Sequence, residues 1–225
     1  MKSTYDNLED IMVFDNIISP AYQDWLYSIV NSNSFLWNRQ DITVIDDEKY
    51  FNDKRNGFAN IHNVFEGELD LKTFNCKDVI HHNIKIINCF FPLLFEFIEP
   101  LNINFISRIR IKAYPAIGTN QIQLPHVDRV TPNTWNVIYY FNDTDGDTVI
   151  YNERAKSDDQ MEYLLSKDVW TIKQRVSPKK GRAVAFKGDL MHSASYPKNK
   201  SRFILNINLS ENPESEVSQN FLKYN

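Results

Sequence analysis

Cysteine is scarce in this chain. Cys76 and Cys89 are the only two in 225 residues, and they form neither a CxxC pair nor part of a dense framework. A disulfide-stapled scaffold is therefore excluded, and a reducing compartment with both thiols in the core is the simpler expectation. Excess positive charge is missing too. Lys and Arg number 25 against 29 Asp and Glu, mixed along the chain for a formal net charge of −4. No basic field of the kind that binds phosphate backbones arises, so nucleic acid is not an expected partner. Long apolar runs are also lacking. The greasiest stretch, Ile84 to Ile98, is interrupted by Lys85, Asn88, Pro92 and Glu96, too short and too polar to cross a bilayer, and it reads as a buried helix. The opening MKSTYDNLED is polar and acidic where a signal peptide would be apolar, which predicts a cytoplasmic protein. Internal repeats, low-complexity tracts and Pro/Gly/Ser linkers are absent, so one domain over residues 1–225 is expected.

What is present is ample core material, with 42% hydrophobic and 13% aromatic residues. IMVF at 11–14 suits a strand. Ser19 before Pro20 marks a helix start, because serine caps free amides and proline at the first helical position loses nothing. The helix is predicted over 20–31, with Trp25, Leu26, Ile29 and Val30 as its apolar stripe. Residues 38–75 carry little periodicity and stay open. Apolar residues at 80, 84, 87, 91, 94 and 98 have helical spacing, predicting a second packing helix over 77–98 that Pro92 kinks.

After Pro100 the texture becomes that of sheet: β-branched and aromatic segments at 105–114, 122–127, 135–141, 147–152, 168–176, 182–187 and 202–209, punctuated by turn residues. Helices first and strands afterwards argue against a parallel α/β sheet and for a mainly β fold, a sandwich or jelly roll, with supporting helices.

Of five histidines, two fall in the β-rich half: His126 in PHVD and His192 in LMHS. His126 and Asp128 are two apart, so on a strand both project to one face, where they can share a metal with His192 from another strand. Two histidines and a carboxylate leave coordination positions free on non-haem Fe(II). An HxD tripeptide alone is weak, since such pairs arise by chance. Context strengthens it. Arg202 opens RFILNINL, in which Phe203, Leu205, Ile207 and Leu209 share one face and Arg202, Ile204, Asn206 and Asn208 the other. A guanidinium fork on that second face would pair with a carboxylate.

The order RIRIKAYPAIGTNQIQLPHVD, WNVIYYFNDTDGDTVIY, VSPKKGRAVAFKGDLMHSASYPKNKSRF resembles the prolyl-4-hydroxylase-like branch of the Fe(II)/2-oxoglutarate-dependent oxygenase superfamily over residues 105–210. The resemblance implies a double-stranded β-helix (a cupin-like jelly roll) over 101–210, helical N-terminal support over 1–100 and a tail at 211–225. It implies His126, Asp128 and His192 as iron ligands and catalytic residues. It gives Arg202 the distal carboxylate of 2-oxoglutarate, Tyr114 and Tyr140 hydroxyls toward the same cosubstrate, Asn206 a place near it, and Thr148 a structural part in strand pairing. Fe(II), 2-oxoglutarate and O2 would be the reagents. The implied reaction hydroxylates a C–H bond of a peptidyl (prolyl) or amino-acid-like small molecule, releasing succinate and CO2. Asp128 argues against the halogenase variant, which lacks that carboxylate. The departure is Gly146-Asp147 where relatives pair glycines.

Two other readings compete: a non-catalytic jelly-roll binding module, and a zinc hydrolase on the same triad, which would leave Arg202 unexplained. His81-His82, adjacent on the expected helix, and His62 are read as structural. Arg108, Arg110 and Lys112 share parity with Tyr114 and could line a pocket mouth, but a solvated sheet edge is the preferred reading. Lys179-Lys180 and Lys198 to Lys200 are read as solvated turns. Residues 116–124 and 153–168 are the expected lid.

Overall fold

The computed structural model describes residues 8–42, 55, 57–129 and 133–213. The expected tail beyond 213 and most of the turn at Thr131 lie outside them. Eleven strands and five helices are found among the described residues. The strands are β1 (Ile11–Phe14), β2 (Asn38–Ile42), β3 (Gly57–Asp70), β4 (Cys76–His82), β5 (Phe105–Tyr114), β6 (Thr134–Tyr140), β7 (Thr148–Arg154), β8 (Ile172–Val176), β9 (Ala183–Lys187), β10 (Leu190–Ala194) and β11 (Arg202–Ser210). The helices are α1 (Pro20–Val30), α2 (Ile84–Ile87), α3 (Phe91–Phe95), α4 (Ile98–Leu101) and α5 (Asp158–Lys167).

Among the described residues every strand pair is antiparallel, and the strands form two sheets, a jelly-roll arrangement. The larger runs β1-β9-β6-β11-β5-β3-β2, with β4 on β3; the smaller runs β10-β7-β8. The alternation expected for β11 sets the architecture. Leu205, Ile207 and Leu209 pack outward with Val137 and Tyr139 of β6 against Leu26, Val30, Leu94 and Phe97 of the helices. Ile204 faces inward with Tyr114, Ile138 and Tyr140, toward the smaller sheet. Both faces of the large sheet are thus covered, which a strand of period two achieves only when both residue sets find a partner layer.

Ser19 caps α1 as expected, its hydroxyl accepting from the Tyr22 amide at 3.4 Å, with Pro20 in the first turn. The apolar stripe is narrower than predicted. Leu26 and Val30 are buried with Gln23, whose amide donates to the Ile18 carbonyl at 2.8 Å, while Trp25 is 44% exposed.

Three expectations are corrected. The second helix is not continuous. Residues 76–82 form a strand on β3, so His81 and His82 are strand residues, and 84–101 make three short helical turns. Backbone pairing with a long neighbouring strand overrides helical spacing at 77–82, and Pro92 opens α3 instead of kinking a longer helix. The N-terminal support is consequently strands as well as helices. Cys76 is exposed and Cys89 half-buried, so neither is a core thiol. Finally, 153–168 is not a lid loop. Ser157 caps α5 there, and Met161 and Leu165 pack with Leu124, Val127, Val149 and Met191 behind the HxD segment.

Asp10, just before β1, ties this edge together. Its carboxylate lies 2.7 Å from Arg154, 3.1 Å from Lys173 and 3.5 Å from Lys187. Burial pushes this carboxyl up, but hydrogen bonds and charges from Arg154 and Lys173 outweigh it and bring it down to about 2. A depressed carboxyl contributes stability above its unfolded value, and that contribution is lost as pH falls through the folded one. Melting temperature should therefore drop between about pH 4 and pH 2 more steeply in the wild type than in Asp10→Asn. The difference should shrink in high salt, because the cluster is partly solvated. Parallel curves for the two proteins would show that the cluster contributes nothing.

No described helix is long and apolar enough to cross a membrane.

Candidate active site

The segment carrying HxD is not the strand expected at 122–127. It makes only isolated bridges, Ile122 with Ser195 and His126 with His192. These lay it along β10 as a rudimentary extra strand. Reciprocal backbone hydrogen bonds join His126 and His192 at 2.9 and 2.8 Å. Residues directly opposite in such a pair present their side chains on one face, and the two imidazoles stand 4.6 Å apart between ring centres. Leu124 and Val127 anchor the segment in the cluster under α5. His126 and Asp128 face the interior from either side of Val127. The donor atoms of His126, Asp128 and His192 lie within 4.8 Å of one another.

Each imidazole is oriented by its own chain. The His126 Nδ1 lies 3.3 Å from the Leu124 carbonyl and the His192 Nδ1 3.2 Å from that of Leu190. A carbonyl can only accept, so Nδ1 carries the proton and Nε2 is left with its lone pair for a cation. Burial lowers both imidazoles, His126 to about 3 with the neighbouring His192 adding to the effect. They are neutral at physiological pH, the form that binds metal.

Asp128 is held from several directions. Oδ1 accepts from Arg108 at 2.7 Å, and Oδ2 accepts from Asn206 at 3.0 Å and Asn208 at 3.4 Å while lying 3.7 Å from His192 Nε2. Burial raises its carboxyl, but the charges of Arg108 and Lys112 prevail and keep it well below the carboxylate range. The carboxylate is ionised and one of its oxygens faces the imidazoles.

Arg202 is 1% exposed. Its Nη1 donates to the carbonyls of Gly146 at 2.6 Å and Asp147 at 3.1 Å, and its Cζ lies 4.5 Å from the centre of the Tyr114 ring. No carboxylate of the described residues pairs with it, and its Nε has no partner. A buried cation satisfied only by neutral groups is costly unless an anion joins it. Gly146 makes this cradle possible. It has φ of +99°, and a methyl group there would come within 2.9 Å of Pro197 N and Ser195 O. The departure from paired glycines thus keeps the one position that needs glycine.

One cavity is lined by His126, His192, Arg202, Tyr114, Asn206, Thr148 and Lys112, among others. Tyr140 stands behind it, its hydroxyl donating to Thr148 Oγ1 at 2.7 Å. Thr148 therefore presents the polar atom to the cavity wall, and Tyr140 orients it. Burial keeps both phenols protonated, Tyr140 up to about 12.

The solvated-edge reading of Arg108, Arg110 and Lys112 is overturned. Arg108 is buried on Asp128, Arg110 reaches Glu66 at 3.1 Å, and burial lowers the Lys112 ammonium to about 8. Their parity with Tyr114 was the available signal. What meets that face, Asp128 of the HxD segment and Glu66 of the neighbouring β3, comes from elsewhere in the sequence. Asn208, placed on the polar face of its strand without a role, bonds to Asp128 and to Asn136, which was not singled out at all. His62 bonds to Leu36 O at 2.9 Å and takes part in no cluster with the others.

The donor set fits Fe(II), with two neutral imidazoles and one carboxylate, and the orphaned guanidinium fits a carboxylate-bearing cosubstrate in the same cavity. Comparison with known proteins agrees. Residues 109–210 match the family model of the 2OG-Fe(II) oxygenase superfamily. Similar solved structures include a 2OG-Fe(II) oxygenase family oxidoreductase from Burkholderia pseudomallei (TM-score 0.56, 11% identity, 91% of this chain and 86% of that one). A Trichoplax adhaerens prolyl hydroxylase, solved with a hypoxia inducible factor oxygen degradation domain peptide fragment, matches with TM-score 0.56 and 13% identity over 91% and 85% of the two chains. A Pseudomonas putida prolyl-4-hydroxylase matches with TM-score 0.52 and 12% identity over 93% and 97%. A search of curated proteins finds none that matches this sequence. The match at 109–210 takes in HxD, the distal histidine and Arg202, so this segment of the chain is that of a 2OG-Fe(II) oxygenase, an enzyme that uses Fe(II), 2-oxoglutarate and O2.

Proposed function

We propose that the chain is one oxygenase domain that hydroxylates a C–H bond of a peptidyl (prolyl) or amino-acid-like substrate, releasing succinate and CO2. His126, Asp128 and His192 hold the iron, and Arg202 holds the distal carboxylate of 2-oxoglutarate. The observation that carries this reading is a buried guanidinium without an acid partner, lining the same cavity as the imidazoles. Bound Fe(II) supplies the dioxygen chemistry. The chain's own residues do the rest. Nδ1 protonation aims both imidazoles. Asn206, Asn208 and Arg108 fix the carboxylate. Arg202, stacked on Tyr114, sets where the oxoacid ends, and Thr148, held by Tyr140, offers a hydroxyl in the wall between. Burial of Arg108 and Asp128 under the HxD segment keeps water from that pair, which strengthens it.

The test is an anaerobic titration with Fe(II) and 2-oxoglutarate, followed by admission of air. A weak visible charge-transfer band should appear only when both are present, and succinate should form above an iron-free control. Binding without succinate from any tested substrate would favour a non-catalytic module. Activity independent of 2-oxoglutarate would favour a hydrolase.

A further inference from the structure

The cavity wall contains two cations, Lys112 and Arg202, and no carboxylate. The strand register orders them. On the inner face Tyr114 lies across from Arg202, Lys112 across from Ile204, Arg110 across from Asn206 and Arg108 across from Asn208. Asp128 is bonded by the last two asparagines and Arg108. Lys112 is therefore the rung between the guanidinium and the metal-binding carboxylate, and it feels both Asp128 and Arg202. Its ammonium makes no hydrogen bond or ion pair with any described residue. Arg108 already occupies Asp128, and Glu66 is engaged by Arg110. A lysine carried into a cavity with no protein anion needs a ligand anion to offset its desolvation.

We infer that Lys112 is a second anchor for the cosubstrate and receives the carboxylate next to its keto group while Arg202 receives the distal one. This rests on the reading of Arg202 and the His-Asp-His cluster given above. A dicarboxylate then meets one cation at each end, and Lys112 positions the metal-side end without itself binding metal.

The experiment uses Mn(II)-loaded protein, which binds but does not turn over, and three probes by calorimetry: 2-oxoglutarate, 2-oxopentanoate, which lacks the distal carboxylate, and 4-oxopentanoate, which lacks the other. Lys112→Met should weaken 2-oxoglutarate and 2-oxopentanoate about tenfold to hundredfold, the loss of one charge-assisted hydrogen bond, and leave 4-oxopentanoate unchanged. Arg202→Met should show the opposite pattern. The ligand-free melting temperature of Lys112→Met should equal or exceed wild type, since an unpaired buried cation is replaced by an apolar chain of similar length. Unchanged affinity for 2-oxoglutarate in Lys112→Met, equal losses for both mono-acids, or a lowered melting temperature would each overturn the assignment. Failure of the wild type to bind 2-oxoglutarate would instead overturn the reading on which it rests.

Discussion

Asp128→Ala is expected to lose both metal binding and about 3–5 kcal/mol of stability, the cost of stranding a buried charge. The two losses have different origins. Metal is lost because the only carboxylate among the three donor groups is gone. Stability is lost because Arg108, with a side chain 9% exposed, is left without its 2.7 Å partner, and the Asn206 amide loses its acceptor while that of Asn208 keeps only Asn136. His126→Ala should lose metal with far less effect on the fold, since its ring makes a single hydrogen bond, to Leu124 O. Adding Arg108→Met to Asp128→Ala should recover much of the stability and none of the metal. Denaturant titration of metal-free protein and Mn(II) binding read the two effects separately. An Asp128→Ala protein as stable as wild type would contradict the structural part, and one that still bound iron would contradict the chemical part.

Arg202→Met should weaken 2-oxoglutarate by about a hundredfold or more, the upper end for a hydrogen-bonded ion pair in a dry site. The fold should tolerate it, because methionine fills much of the same volume and the guanidinium has no acid partner to strand. The Gly146 and Asp147 carbonyls lose their donor, a modest cost. Arg202→Lys should fall between, keeping the charge but not the fork that spans two carbonyls while stacking on Tyr114. Initial rates at varied 2-oxoglutarate should show the effect mainly in KM. Unchanged KM in Arg202→Met would remove the cosubstrate from this end of the cavity.

How far the residues themselves disclosed this arrangement depends on how local the deciding contacts are. The alternation in RFILNINL is local, and the structure sorts its two faces as read. Strands β5, β6 and β9 likewise fall where β-branched and aromatic residues cluster. In β3 the signal fails for a physical reason. Its buried residues run Ala59, Ile61, then Val64 and Phe65, then Glu68 and Leu69, because irregularities between Asn63 and Phe65 and between Glu66 and Leu69 shift the register and erase period two. The short β10 was hidden because Leu190 to Ala194 is buried throughout and shows no alternation. Arg108 was legible in parity but not in environment. A charged residue on a given face reads the same whether that face meets water or a carboxylate twenty positions away, and only the non-local return of the HxD segment decides.

The mutual amide bonds of His126 and His192 have one more consequence. They continue toward Gln121, with Gln123 N on Ala194 O at 2.8 Å and Tyr196 N on Gln121 O at 2.8 Å, and the bridges of Ile122 with Ser195 and His126 with His192 fix one extra residue on the HxD side between them. Inserting or deleting one residue there would turn the ring now facing its partner toward α5. At the exposed Gly118 an added methyl group would meet nothing within 4 Å, so a change of chain length there would leave the spacing of His126 and Asp128 against His192 intact.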